Sequence, residues 1–410
     1  MANNPIITKS GGFTADNKQA DKISGLMCTA VATSAGTTPF VLYQPYKILS
    51  LNELEKKYGI DKTYDTNNDV VFWYNVSEFY RLAPAGTPLY IMGLEETALL
   101  TNYATKIANL VNFSEGQIRQ IGLSRCPDAG YTPTYTNGID SDVIAAIDDL
   151  QTEAVSFYSQ NSPVQIFLEG NLEGGLINLT SLPDLSKKLS NKISVLIANE
   201  YGYHSSGTRA SKASAMGTLL GVVAMGSVQE RIGKVRKFNL KGVTPAGEKR
   251  FYNGAGIVNN SSFKTYKDDA DALMASRYIF IRQFFGKDGF FFSRGYTCTN
   301  DSDKEYTIEN GRVLDKASRI IYAALLEYWD DNATLETDGT LPDATRTEIE
   351  ATIEAAIDKA MKGEISNRKV TIDPTSDLIT PPQELRVTFQ VQPVGYIGDI
   401  TGNLLFSPTI

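Results

Sequence analysis

The clearest hydrophobic pattern in the chain lies near its C-terminal end. Apolar and polar residues alternate strictly over residues 385–392, and the apolar positions are Leu385, Val387, Phe389 and Val391. A period of two places these side chains on one side of an extended backbone, which predicts a β-strand with one covered face. Pro393 then cannot donate to a strand ladder, and Tyr396 and Ile397 begin a second apolar run. Such a strand either returns to its own domain or joins the sheet of another chain.

Between residues 25 and 235, short apolar runs alternate with segments of helical spacing. Runs typical of buried strands occupy 25–32, 89–92, 118–123, 164–168 and 192–198, and helical segments occupy 50–58, 70–82, 98–111 and 142–158. Ser50 and Glu53 form a capping box at the first helix, and Gly59 suits its left-handed C-terminal turn. Strands separated by helices predict an α/β layer with a largely parallel sheet.

A segment rich in small residues follows at 210–232. It contains Gly217, Gly221 and Gly226, and an interior glycine costs a helix about 1 kcal/mol relative to alanine. Their presence predicts a helix whose backbone packs closely against a neighbour. The alternative is that one end of the segment is a loop.

The C-terminal third begins with two aromatic-rich runs, 278–285 and 290–294. The Asp288-Gly289 pair between them is a strong signal for a hairpin turn.

Two long helices are predicted next, over 310–329 and 342–362. The first carries an apolar stripe, and the basic residues Arg312, Lys316 and Arg319 stand outside that stripe. A strand at 369–372 follows. Pro374, Pro381 and Pro382 then predict a stiff, extended approach to the terminal strand.

These changes of pattern divide the chain into four predicted parts. They are an N-terminal arm over 1–22, an α/β domain over 23–235, an α+β domain over 236–383, and a C-terminal arm over 384–410. The N-terminal arm is polar, with isolated apolar residues at Ile6 and Ile7. It is either a frayed terminus or, with a partner, an extended strand. The predicted fold class is α/β, with a layered sheet-and-helix N-terminal part, an α+β C-terminal domain and extended arms.

Composition narrows the function classes. The formal net charge of −8 and a pI near 5.0 disfavour nucleic-acid binding, which requires a basic face. The sequence has no apolar run of membrane-spanning length and no apolar signal-peptide core near its start, so neither membrane insertion nor classical secretion is predicted. Cys28, Cys126 and Cys298 are scattered, which fits buried thiols better than a disulfide framework.

The sequence lacks the residue patterns of known catalytic and metal sites. His204 is its one histidine, and no G-x-S-x-G elbow accompanies it, so a loop histidine is preferred over a catalytic one. Residues 65–69 resemble half a calcium loop, but Val70 and Val76 replace the glycine and the bidentate glutamate, so a polar loop leading into a helix is preferred. Ligand-spaced Cys or His pairs, a P-loop and a dinucleotide fingerprint do not occur. We therefore predict no enzyme, no cofactor and no metal.

The order of elements in the C-terminal third carries a family resemblance. The aromatic hairpin at 278–294 is followed by a helix start, Arg312-Val313-Leu314-Asp315, then by the second long helix and the alternating strand. Residues 26–59 and 219–233 match in the same way at the opening and the centre. In the order of these elements and in their residue patterns, the chain resembles the contractile tail sheath family of myophage tails and bacterial injection machines.

The resemblance implies a non-enzymatic subunit that assembles with itself in stacked hexameric rings around an inner tube protein. It also implies contact with a baseplate and a tail terminator, and assembly in the bacterial cytoplasm before the subunit becomes part of a virion tail or injection particle. Contraction of such a sheath drives the tube out.

The same resemblance implies that terminal arms add strands to sheets of neighbouring subunits. The residues predicted to make this linkage are Ile6, Ile7, Leu385, Val387, Phe389, Val391, Tyr396 and Ile397. Donation of the strand at 385–391 to a neighbour is favoured over its return to its own domain. The alternatives are another tail or injection-system assembly protein, such as a terminator or baseplate component, and, far behind it, an α/β hydrolase-like enzyme.

Overall fold

The computed structural model describes residues 20–174, 178–203, 212–241 and 252–398. The chain forms two compact units, residues 1–329 and residues 330–410. The predicted boundaries at 235 and 383 do not coincide with this division. The two long helices lie in different units, and the terminal strand shares a unit with the second of them.

Short strands and helices alternate through most of the described chain. The strands are β1 (Ser24–Thr29), β2 (Pro45–Ile48), β3 (Leu89–Leu94), β4 (Gln120–Ser124), β5 (Tyr135–Thr136), β6 (Ile139–Asp140), β7 (Gln165–Glu169), β8 (Ile193–Leu196), β9 (Ala198–Glu200), β10 (Ala255–Ile257), β11 (Ser261–Ser262), β12 (Tyr278–Ile279), β13 (Ile281–Phe284), β14 (Lys287–Phe292), β15 (Ile365–Ile372) and β16 (Val387–Pro393). The α-helices are α1 (Leu51–Tyr58), α2 (Lys62–Asn68), α3 (Phe72–Leu82), α4 (Leu100–Phe113), α5 (Ser141–Ser159), α6 (Met216–Met225), α7 (Phe263–Tyr266), α8 (Ala270–Ala275), α9 (Ile308–Leu325) and α10 (Asp343–Ala360).

The first unit is built on one seven-stranded sheet in the order β12-β8-β7-β4-β1-β3-β2. Its strands run parallel except β2, which is antiparallel to β3 at one edge. Alternate side chains of each strand enter different cores: Leu26 joins the core that contains α3 and α6, and Met27 joins the core that contains α4 and α5. Helices thus cover both faces, and the predicted α/β layer with a largely parallel sheet is confirmed.

The N-cap predicted at Ser50 is confirmed, but the capping box is incomplete, because the Glu53 carboxylate reaches the N–H of Leu49 and not that of Ser50. The Ser50 hydroxyl accepts the Glu53 backbone N–H at 3.2 Å, and the Glu53 carboxylate accepts the Leu49 N–H at 2.9 Å. Gly59 ends the helix with φ of 68°, a conformation that favours glycine.

Helix α6 confirms the close packing predicted from its small residues. A Cβ atom on Gly217 would lie 1.9 Å from the backbone oxygen of Asn75, in the first half of α3. The helix is shorter than its glycine-rich segment, because Gly226 has extended backbone and stops it. The alternative that one end of the segment is a loop is therefore right as well.

The turn of the aromatic hairpin is not where the sequence predicted it. Strands β13 and β14 are joined at Phe285 and Gly286, whereas Asp288 and Gly289 lie within β14. The Asn239 side chain occupies the space that a Cβ on Gly289 would need, and its amide binds the β14 backbone. A tertiary contact therefore explains the glycine that looked like a turn signal.

The three cysteines are buried and free, in agreement with the prediction. The predicted polar loop at 65–69 is wrong. It is helical in α2 up to Asn68, and the Asp65 carboxylate accepts the backbone N–H groups of Trp73 and Tyr74 at the start of α3. His204 lies outside the described residues. No helix in the described ranges is long and apolar enough to cross a membrane.

Candidate assembly site

The alternating terminal strand is a strand in the structure, and its partner belongs to the same chain. Strand β16 pairs antiparallel with β15, with Phe389 opposite Val370 and Val387 opposite Ile372. Opposite residues share a face, so these four apolar side chains line one side of the two-stranded sheet. Within the single chain, β15 takes one edge of this strand, and donation of residues 385–391 to a neighbour stays a prediction.

Helix α10 covers only half of the apolar face. Ile353 and Ile357 of the helix are fully buried, and Val370 and Ile372 of β15 are buried with them. The apolar side chains of β16 and its approach remain half-buried: Leu385, Val387, Phe389 and Val391. The sheet therefore has an apolar strip along β16 that its own helix does not cover.

The outer edge of β15 is closed by two glutamates of α10. The Val370 N–H donates to the Glu354 carboxylate at 3.0 Å, and the Ile372 N–H donates to the Glu350 carboxylate at 2.7 Å. An unpaired strand edge can pair with a strand of another chain, and side chains that accept its N–H groups prevent this pairing. Arg368 strengthens the closure by ion pairs to Glu354 and Asp358.

The outer edge of β16 is open. In an antiparallel pair, residues opposite each other alternate between exchanging hydrogen bonds and pointing their polar groups away. The Asp373 N–H donates to the Arg386 carbonyl, so these two residues form a hydrogen-bonded pair. The N–H groups of Val370 and Ile372 point away from β16, toward α10. The N–H groups of Val387 and Phe389, which lie opposite them, therefore point away from β15. The alternation therefore places the N–H groups of Val387, Phe389 and Val391 on the side of β16 away from β15.

The segment before β16 is a folded turn, and the predicted stiff, extended approach is wrong. Arg386 pairs with Asp373 at 3.4 Å and donates to the Thr375 carbonyl, which closes the loop between β15 and β16. The Thr375 hydroxyl and N–H both donate to the Asp373 carboxylate and lower its pKa. The hairpin is thus a self-contained element and not a strand on a tether.

The remaining predicted linkage residues lie beyond the hairpin. Tyr396 is half-buried, and Ile397 is 86% exposed, which is unusual for so large an apolar side chain. Ile6 and Ile7 lie outside the described residues.

A cluster of charges holds the start of the described chain to α9. The Asp21 carboxylate meets Lys316 Nζ at 2.7 Å and Arg319 at 3.0 Å, and Arg312 donates to the Asp21 carbonyl. Burial by itself would raise the pKa of Asp21, but the charges of Arg319 and Lys316 outweigh it and the pKa is lowered. The sequence pattern puts these basic residues outside the apolar stripe, whereas in the structure Arg312 and Lys316 are buried and Arg319 is half-buried. Their spacing of four and three residues was the available signal.

We expect Asp21→Asn to destabilise the first unit by about 3–5 kcal/mol, since it leaves buried cations without their counter-charge. Thermal unfolding measures this, with Asp148→Asn as control, because its pair with Lys188 is exposed and worth about 0–1 kcal/mol. The contribution of Asp21 is fully present above its ordinary pKa of 3.8 and is lost as pH falls through the lower native pKa. The difference in Tm between wild type and variant should therefore disappear in acid. A difference that does not depend on pH would show that the charge of Asp21 is not its cause.

We expect the double change Glu350→Ala and Glu354→Ala to weaken the second unit. Each lost carboxylate leaves a strand N–H without its acceptor, at a cost of about 1–3 kcal/mol. The variant should also aggregate more readily, because the β15 edge becomes available. Unfolding and light scattering check both effects. Glu348→Ala, an exposed glutamate of the same helix, should change neither.

Family models account for nearly all of the chain. The N-terminal domain model of DUF2586 matches residues 14–296, and the C-terminal domain model of the same family matches residues 306–408. The chain belongs to the DUF2586 family. The division of DUF2586 into its two domains falls just before α9, whereas the compact units of the structure divide just after it. No curated protein matches the sequence.

The fold of this DUF2586 chain is shared with solved sheath proteins. The helical sheath of the anti-feeding prophage in its contracted state matches with a TM-score of 0.56 and 13% identity, over 100% of this chain and 97% of that one. The contracted PVC sheath, from an extracellular contractile injection system, matches with a TM-score of 0.56 and 11% identity, over 95% and 92%. The sheath tail protein of Desulfitobacterium hafniense matches with a TM-score of 0.52 and 8% identity, over 95% and 99%. The likeness extends over both compact units.

Proposed function

We propose that this protein is the structural subunit of a contractile tail sheath, which polymerises helically around an inner tube and contracts to drive the tube through a target envelope. The observation that carries the proposal is the whole-chain fold shared with sheath proteins, two of them described in the contracted state. A likeness in one domain would leave the function open, because folds are reused for unrelated functions. Here both the sheet-based unit and the small C-terminal unit are matched.

The C-terminal hairpin is suited to linking subunits. Its open β16 edge presents outward N–H groups beside the apolar strip of Val387, Phe389 and Val391. An added strand would gain about 0.5–1.5 kcal/mol net from each hydrogen bond, and further stabilisation from covering the strip. The donor would be an arm of a neighbouring subunit. We place Ile6 and Ile7 in one such arm and Tyr396 and Ile397 in the other.

Because donor arm and acceptor edge are different parts of the chain, the contact is heterologous. Repeated head to tail, such a contact gives an open helix of subunits unless the rotation happens to close a ring. Closure of the β15 edge by Glu350 and Glu354 directs the arm to β16. The hairpin residues thus serve as acceptor, and the flanking arms serve as donors.

The partners follow from the same role. We infer stacked hexameric rings of this chain, contact with an inner tube protein, and termination at a baseplate and a tail terminator. Assembly would take place in the bacterial cytoplasm, and the finished subunit would be part of a virion tail or injection particle. A catalytic activity has no place in this role.

Electron microscopy of the purified full-length protein tests the proposal. Extended helical tubes, alone or around a co-expressed tube protein, are expected. Finite rings without tubes would overturn the sheath assignment in favour of a terminator or baseplate component.

A further inference from the structure

A small pocket lies where the first described residues meet α9 and the start of β4. It holds about 10 Å³, which is close to the space that one water molecule needs. Its lining side chains are Asp21, Arg119, Val228, Arg312, Asp315 and Arg319. Three guanidinium groups and two carboxylates therefore face a space that accepts one small occupant.

The two carboxylates are already engaged. Asp21 is bound by Lys316 and Arg319, as described above. Asp315 is bound by Lys192 at 2.6 Å on one oxygen and by the Gln165 amide at 2.7 Å on the other. Neither carboxylate is therefore left without a partner.

Arg119 makes no ion pair among the described residues, although the carboxylates of Asp21 and Asp315 lie near enough to offset part of its charge. It is 8% exposed, and its guanidinium donates only to the backbone carbonyls of Gly116 and Ile118. Its Nε has no hydrogen-bond partner, and within the described ranges no carboxylate lies at ion-pair distance. Burial, and then the charge of Arg319, hold its pKa below the ordinary value. A buried arginine in this state is stabilised by any anion that reaches it.

We propose that this pocket binds one small monovalent anion of the size of chloride, held between Arg119 and Arg319. The ion would accept the free Nε–H of Arg119 and offset the repulsion between the two guanidinium groups. The site has a structural role, because the Arg119 backbone N–H also donates to the carbonyl of Ile23, next to the anchored Asp21. An ion here would tie the segment around Asp21 to α9 and to the residue that precedes β4. This inference is independent of the sheath assignment.

Thermal unfolding of the full-length protein in sodium chloride and in sodium gluconate tests the proposal. Both salts are used at equal ionic strength, so that general screening is the same, and gluconate is an anion too large for the pocket. Binding to the folded state alone raises Tm with ligand concentration. We expect a saturable upward shift of Tm in chloride that gluconate does not give. Equal shifts in the two salts would overturn the proposal.

Arg119→Met should lose the chloride-specific shift. Arg277→Met is the matched control, since Arg277 is equally buried but pairs with Asp301 away from the pocket, and it should keep the shift. Loss of the shift in both variants would overturn the assignment to this pocket. If Arg119→Met does not fold, ³⁵Cl NMR line broadening of the wild type decides directly. Broadening that competing bromide reverses is expected, and its absence would refute the site.

Discussion

Replacing Phe389 by proline should abolish tube formation while leaving a folded, soluble monomer. The Phe389 N–H points away from β15, so proline removes a hydrogen-bond donor from the open edge and none from the hairpin. Edge strands tolerate proline on their solvent side for this reason. The ring also obstructs an approaching strand. Because the linkage repeats at every subunit, a loss of even about 1–3 kcal/mol at each contact is multiplied along the assembly.

This experiment must distinguish the effect of losing the Phe389 side chain from the effect of losing its backbone N–H. Phe389→Ala is the matched control, because it removes the same aromatic ring and keeps the N–H. We expect the alanine variant to assemble less readily and the proline variant not to assemble, as judged by electron microscopy and sedimentation. Circular dichroism and Tm establish that both are folded. If the proline variant forms tubes as well as the alanine variant does, the β16 edge is not the acceptor.

Removing residues 394–410 is expected to give the second large effect, the loss of tubes with no loss of stability. A chain that ends at Pro393 keeps every residue of β16, so the hairpin and its packing on α10 stay whole. What it loses is the segment that begins with half-buried Tyr396 and exposed Ile397. If this segment is a donor arm, the truncated subunits have acceptor edges and nothing from the C-terminal side to fill them.

A second truncation serves as control. A chain ending at residue 383 also lacks β16, so β15 loses its partner and the second unit should unfold at a lower temperature. The two truncations therefore distinguish the loss of an arm from damage to the hairpin. Normal tubes from the chain that ends at Pro393 would rule out a C-terminal arm as donor.

Local sequence signals predicted most of the first unit. The N-cap at Ser50, the apolar runs of the sheet strands and the helical spacing between them all agree with the structure, because each depends on residues close in sequence. The glycines of α6 belong to the same class: their cost to a helix indicated a close neighbour, although not that the neighbour would be α3.

Signals that depend on distant residues were missed or misplaced. Gly289 looked like part of a turn, and only the fold shows that the Asn239 side chain occupies the space beside it. Asp21 lies in a polar stretch that gives no hint of burial, and its partners come almost three hundred residues later on α9.

For the candidate site, the sequence predicted the strand but not its partner. Alternation over 385–391 determines which side chains share a face, and the structure agrees on that point. It contains no information on which strand supplies the hydrogen bonds, so donation to a neighbour and return to β15 gave the same pattern. The closing role of Glu350 and Glu354 was equally hidden, since exposed glutamates of an amphipathic helix have the same spacing whether or not they bind a strand edge.

The contact between Gly217 and the backbone of Asn75 also bears on mechanics. Two helices whose main chains touch have no layer of side chains between them that could rearrange under load, so α3 and α6 must move together. They lie on one face of the seven-stranded sheet, which makes that side of the first unit a stiff block. A body of this kind is expected to deform little when a load is applied to it. That is the property a subunit needs if it is to swing as a whole while only its connections bend.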